Sequence, residues 1–124
     1  MIAADSSYIA EGLLHNKELL SKDQIIAPDL ILYEVANTIW KHEYLLESIQ
    51  NGNEYLSILY SLIENRKIII ISPDENLMQD AYLIAKRNGI TPYDAVFIRL
   101  ATKLGLELRT LDKKQSKAFE KETK

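Results

Sequence analysis

The run "KIIII" at residues 67 to 71 constrains the fold of this chain more than any other stretch. Four β-branched residues in a row, with no polar alternation, predict a strand with both faces covered. Two shorter segments share that character, "MIAA" at residues 1 to 4 and "QIIA" at 24 to 27, and "LELRT" at 106 to 110 is a weaker fourth. Helical periodicity fills the gaps: Ser6 to Leu14, Pro28 to Glu47, Asn53 to Glu64, Asp74 to Arg87, Pro92 to Lys103, and a charged tail after Asp112. Strands alternating with segments long enough to hold helices favour a parallel sheet. The expected fold class is therefore α/β, a three-layer α/β/α sandwich around a central parallel sheet of four to five strands.

At 124 residues the chain has room for one domain, expected to span residues 1–124. Its composition, 47% hydrophobic and 27% charged, is that of an ordinary globular protein. There is no cysteine, so any metal must be held by oxygen or nitrogen ligands, and a reducing compartment fits. The start "MIAADSS" has neither a basic region nor a long apolar run, which points to a soluble, cytoplasmic protein without a membrane span. A net charge of −3 speaks against bulk electrostatic binding of nucleic acid. Two divalent cations on the acids would add four positive charges and reverse that sign where it matters.

Local punctuation marks the helix ends. "TPYD" at Thr91 to Asp94 has the spacing of a capping box, with Pro92 at the first helical position. "SPDE" at Ser72 to Glu75 repeats the pattern with Ser72 as cap, and Asn88-Gly89 closes the helix that follows.

Four acids stand apart from this grammar when taken together. Asp5 follows the first strand and Asp112 the last, and either alone reads as a helix cap, Asp112 with Gln115 completing a box. Glu34 lies too far along its helix to cap it, and neither i+3 nor i+4 offers it a cation; Asn37, Thr38 and Lys41 could make it part of a solvent stripe. Location favours a site. In open parallel sheets ligands collect outside the carboxyl ends of the strands, where Asp5 and Asp112 sit and where the helices of Glu34 and Asp94 begin. Crowded carboxylates repel and protonate unless a cation intervenes. Mg2+ or Mn2+ suits an all-oxygen donor set, and the chemistry suggested is phosphodiester hydrolysis.

The strings "DSSYIA", "APDLILYEVANTIWK", "ITPYDAVFIRLATKLGLEL" and "RTLDKK", in this order and across nearly the whole chain, give a sequence that resembles PIN-domain ribonucleases, most closely the VapC-type toxins of toxin–antitoxin pairs. The resemblance implies that Asp5, Glu34, Asp94 and Asp112 form an acidic quartet that binds Mg2+ or Mn2+ and activates water. It implies supporting roles for Ser6 and Thr110, beside the first and last acids, and for Asn37, one turn beyond Glu34. It further implies cleavage of RNA to leave a 5′-phosphate and a 3′-hydroxyl, homodimerisation, and a cognate antitoxin as partner.

Other residues carry weaker signals. Lys113, Lys114 and Lys117 could meet substrate phosphates or form a solvated tail, while Arg99 and Lys103 mark the exposed face of their helix. His15 and His42 lack metal-ligand spacing and read as surface residues. Tyr33, Ala36, Trp40 and Tyr44 form an apolar stripe distinct from that of Val35, Ile39 and Leu46; it reads as core or as a partner surface. Two other functions stay open: a catalytically silent scaffold with the same fold, and a phospho-receiver domain. The receiver needs paired acids after the first strand and an acceptor after the central one, whereas Asp5 stands alone and "KIIII" runs into Ser72 and Pro73.

Overall fold

The computed structural model describes all residues, Met1–Lys124. Four strands, β1 (Ile2–Ala4), β2 (Ile25–Pro28), β3 (Ile68–Ile71) and β4 (Leu108–Arg109), form one parallel sheet in the order β3-β2-β1-β4. The helices are α1 (Ser6–Leu14), α2 (Leu30–Trp40), α3 (Gly52–Glu64), α4 (Glu75–Asn88), α5 (Pro92–Leu104) and α6 (Lys113–Thr123). Helices α1, α2 and α3 pack on one another as one layer, and α4, α5 and α6 as the other, with α5 against β1, β2 and β4. This is the three-layer arrangement that the alternation of strands and helices implies.

One expectation fails at the sheet edge. β3 is an outer strand, and only Ile68 is fully buried, with Ile69, Ile70 and Ile71 partly exposed. An apolar run records that a strand is covered by helices but not whether a neighbouring strand flanks it. The central strands are β1 and β2, all of whose residues are buried, and the core gathers around them with Ile9, Ile31, Val35, Leu59 and Ile98. Ile25 is fully enclosed between both layers. Its replacement by Ala is expected to cost about 2–5 kcal/mol in a denaturant titration, from lost transfer energy and the cavity left behind.

The helix expected over Pro28 to Glu47 is shorter and less regular. Pro28 ends β2, α2 begins at Leu30, and after Trp40 the turn widens into a π-helical stretch, Lys41–Leu45, that stops where Glu47 takes a positive φ of 53°. A 3-10 turn at Lys17–Leu20 packs against α1. At Gly12 a Cβ would come within 2.5 Å of Leu20 Cγ, so the close approach of that turn requires the glycine.

Caps are also redistributed. Asp74, not Ser72, caps α4: its side chain accepts from the Leu77 amide at 2.8 Å. Pro73 thus precedes the helix rather than opening it. We expect Asp74→Ala to cost about 1 kcal/mol of stability and Ser72→Ala close to nothing, as read by thermal melts. Gly89 closes α4 in the left-handed region at φ 61°, as the Asn-Gly pair implies. Arg99 does not point free into solvent; its Nε donates to Asp80 Oδ2 at 3.1 Å and ties α5 to α4. Helix α6 is held to α4 at its far end, where Arg87 pairs with Glu122 at 2.7 Å and the Asn88 amide donates to the same carboxylate at 2.8 Å.

Candidate active site

The chain runs from β1 outward through β2 to β3, then returns to place β4 on the other side of β1. The order in which strands are added therefore reverses between β1 and β4, the kind of switch point outside which α/β proteins bind ligands. Asp5 leaves β1 at this point, and Thr110, Leu111 and Asp112 leave β4 beside it.

Asp5 is 4% exposed and is the N-cap of α1. Its Oδ1 accepts from the Tyr8 amide (3.1 Å) and the Ser7 hydroxyl (2.7 Å), while its Oδ2 accepts from the Thr110 hydroxyl at 2.5 Å. Three donors leave this carboxylate one orientation. The capping role and the sheet-edge position are thus combined in one side chain rather than being alternatives.

Glu34, in the second turn of α2, is half-buried and accepts from the Ser6 hydroxyl at 2.6 Å. Ser6 therefore supports Glu34, not its neighbour Asp5; the hydroxyl on Asp5 from this segment belongs to Ser7. Asn37 lies on the exposed surface of α2, one turn beyond Glu34, and Thr38 bonds back to the Glu34 carbonyl at 3.0 Å. Asn37 and Lys41 are thus exposed members of the solvent stripe, from which Glu34 differs by its partial burial and its bond from Ser6.

Asp94 is in the first turn of α5, whose cap is Thr91: the Asp94 amide donates to Thr91 Oγ1 at 3.2 Å. The reciprocal half of the capping box is absent, because no bond joins the Asp94 carboxylate to the Thr91 amide. Asp112 caps α6, its Oδ1 accepting from the amides of Lys114 (2.9 Å) and Gln115 (3.2 Å). The Gln115 side chain does not close that box either. It turns inward, its Nε2 donating to the Asp94 carbonyl at 2.8 Å.

The acids act on one another. Burial pushes Glu34 above the usual carboxylate range, the Ser6 bond opposes this, and the charges of Asp94 and Asp5 add to the rise. Burial also raises Asp94, helped by Asp112 and Asp5 and resisted by Thr91 and by the Lys114 ammonium. Lys114 is the one cation that acts on either group. All four acids thus share one electrostatic neighbourhood. Lys113, Lys114 and Lys117 lie exposed on α6 just beyond Asp112.

Whether this donor set fits a divalent ion can be judged from its chemistry. Half-buried carboxylates whose mutual repulsion is only weakly countered are a favourable place for a cation. No three Asp, Glu or His side chains converge closely enough to hold an ion by themselves. An all-oxygen set of carboxylates suits the chemistry of Mg2+, which keeps several waters and takes one or two carboxylates together with substrate phosphates. The residues fit the group.

Sequence reasoning missed Ser7 and Gln115. Ser7 stands in "DSSYIA" beside the serine chosen, and nothing local separates the two hydroxyls. Gln115 had a signal, its place three residues after Asp112, but that spacing pointed to a cap. The two histidines come together, ring centroids 5.7 Å apart, with His15 bound to Glu11 and His42 to Ser48. They lie after α1 and within the π-helical turn, remote from the strand ends that carry the acids. The stripe on α2 is split: Tyr33, Trp40 and Tyr44 are exposed, the last two stacked at 5.4 Å, and Leu46 is exposed as well, whereas Val35 and Ile39 are core. A concavity of about 640 Å³, lined by Leu13, Leu20, Ile58, Leu62 and Lys67, opens where β2 and β3 enter the sheet, at the opposite end from the acids.

The family model for the PIN domain matches residues 6–120. Ribonuclease VapC3 of Pyrobaculum aerophilum is 35% identical over 91 residues, covering 73% of this chain and 68% of that protein. The crystal structure of PAE2754 from Pyrobaculum aerophilum superposes with a TM-score of 0.75 at 20% identity, covering 94% of this chain and 83% of that one, a likeness of fold. The chain belongs to the PIN-domain family, of which the VapC ribonucleases are a part.

Proposed function

We propose that this protein is a Mg2+- or Mn2+-dependent ribonuclease that acts in the cytoplasm as the toxin of a toxin–antitoxin pair, with one PIN unit over residues 1–124 carrying the activity. What supports this reading is the position of Asp5 and Asp112 after β1 and β4 at the switch point, together with Glu34 and Asp94, which burial and the charges of neighbouring acids raise.

Asp5, Glu34, Asp94 and Asp112 are the residues that would hold the ion. When bound, it supplies a Lewis acid for the scissile phosphate and a water of lowered pKa. Asp5, fixed by Ser7, Tyr8 and Thr110, is the rigid member of the set. Asp94, whose carboxylate accepts from no backbone amide, is the less constrained member. Lys114, exposed on α6 and the cation that offsets part of the rise at Asp94, is the side chain that would meet a phosphate of the RNA. The exposed ledge of Tyr33, Trp40 and Tyr44 suits an apolar antitoxin segment, since aromatics are enriched at such interfaces. Homodimerisation belongs to the same proposal.

The decisive measurement is cleavage of a mixed-sequence RNA with and without Mg2+ or Mn2+, comparing wild type with Asp5→Asn and Asp112→Asn. Asn caps a helix about as well as Asp but is a poor ligand for a hard cation. Metal-dependent cleavage by wild type, lost in both variants, is expected. Wild type that cuts no RNA with either ion would return the protein to the silent-scaffold reading, and active variants would remove these residues from the site.

A further inference from the structure

Asp5 and Gln115 are the two polar side chains that the fold buries, and they belong to one network. Gln115 is 2% exposed and faces inward from α6 together with Ala118, at a position where helical periodicity would place an apolar residue. A buried amide is costly unless its hydrogen bonds are made. Those of Gln115 run to the elements that carry the acids. Its Nε2 donates to the Asp94 carbonyl (2.8 Å), its backbone amide donates to Asp112 Oδ1 (3.2 Å), and its Oε1 lies 3.2 Å from Thr110 Oγ1. The Thr110 hydroxyl has one proton to share between Gln115 Oε1 and Asp5 Oδ2, and it accepts from the Asp112 amide at 3.0 Å.

The side chain therefore joins the first turn of α5 to the β4–α6 turn, while the backbone amide of the same residue completes the cap of α6. Asp94 and Asp112 are 18 residues apart on different helices, and direct contact between them would be repulsive, so something other than their own interaction must set their separation. No other hydrogen bond joins the first turn of α5 to α6.

We propose that Gln115 is a positioning residue, which fixes the spacing of Asp94 and Asp112 and the seat of Thr110 against Asp5 so that a divalent cation binds there. The inference rests on the metal-site reading of the acids. It adds to that reading a residue that touches neither ion nor RNA and whose side chain acts only through the Asp94 carbonyl and the Thr110 hydroxyl.

The test titrates Mn2+ alone into metal-free protein by calorimetry, for wild type, Gln115→Met and Gln115→Asn, with thermal melts alongside. Met matches the volume of Gln without its donor or acceptor; Asn keeps the amide but falls short of the Asp94 carbonyl. Loss of a residue that orients metal ligands costs about 10- to 100-fold in metal affinity, and both variants should show a loss in that range. In RNA cleavage, the Mn2+ concentration for half-maximal rate should rise by the same factor while the KM for RNA holds and the rate at saturating Mn2+ recovers. Phe119→Ala removes a partly buried side chain from the same helix, and it should lower the melting temperature without weakening Mn2+ binding.

Gln115 variants that bind Mn2+ as wild type does, whatever their melting temperature, overturn the proposal. Phe119→Ala losing as much affinity as Gln115→Met overturns it too, since stability alone would then explain the effect. Should Gln115→Met not fold, Gln115→Asn decides. Wild type that binds no Mn2+ refutes the metal site itself, an outcome distinct from failure of the role given to Gln115.

Discussion

Asp94→Asn should abolish RNA cleavage and at the same time raise the melting temperature of the metal-free protein. The carboxylate is half-buried, accepts no hydrogen bond from a backbone amide, and is pushed upward by its burial and by the charges of Asp112 and Asp5. An amide of the same shape removes the charge and nothing that the helix needs, because the cap of α5 is the Thr91 hydroxyl. Activity should fall by at least about 100-fold, the upper end of what losing a mere orienting partner costs. Asp5→Ala should be equally inactive yet less stable. It deletes the acceptor for Tyr8, Ser7 and Thr110, and loss of the cap alone costs about 0.5–2 kcal/mol. Opposite stability changes with the same loss of cleavage would separate the acid that no backbone amide holds from the one the fold has built around. A melting temperature that falls in Asp94→Asn would show instead that its carboxylate holds the helix.

The second large effect is on pH and metal dependence of stability. Glu34 and Asp94 titrate above the usual carboxylate range when folded, burial being the leading cause in both. Between the unfolded and the raised folded values the native state binds more protons than the unfolded chain. Stability contributed by these two groups is therefore present below that window and lost as pH rises through it. Glu122, lowered by Arg87, works in the other direction: its contribution is present above the unfolded value and lost on acidification. Comparing wild type with Asp94→Asn isolates the first effect, since the variant should lose less stability between mildly acid and neutral pH. A divalent ion should reverse the trend at neutral pH by binding the ionised acids. At 100 times its dissociation constant it adds about 2.7 kcal/mol to folding stability, and little at acid pH, where protons compete. Thermal melts with and without Mg2+ or Mn2+ at both pH values measure this. A metal effect equal at the two pH values would contradict binding by Glu34 and Asp94.

Much of this arrangement was legible before any coordinates because it depends on near neighbours. Thr91, Asp5 and Asp112 could be read as helix starts since a cap bonds an amide two or three residues ahead, and all three do so. In "SPDE" the capping-box spacing pointed to Ser72, whereas the helix begins two residues later and Asp74 caps it. The assignment of hydroxyls failed for a related reason. Ser6 and Ser7 are adjacent and alike, and one turn of helix sends the first to Glu34 and the second to Asp5.

By itself, the sequence determined the α/β alternation, the burial of β1 and β2, and the four acids at helix starts and strand ends, because hydrophobic periodicity and capping are written within a few residues. Only the tertiary structure decided that β3 lies at the edge while β1 lies beside β4, that Arg99 pairs with Asp80, and that Thr110 meets Asp5 across a separation of 105 residues. It alone turned Gln115 from a cap partner into a buried link between Asp94 and Asp112. The reason is that strand order, and hence which loops share an edge of the sheet, follows from how all the apolar faces pack at once, and no local pattern carries that information.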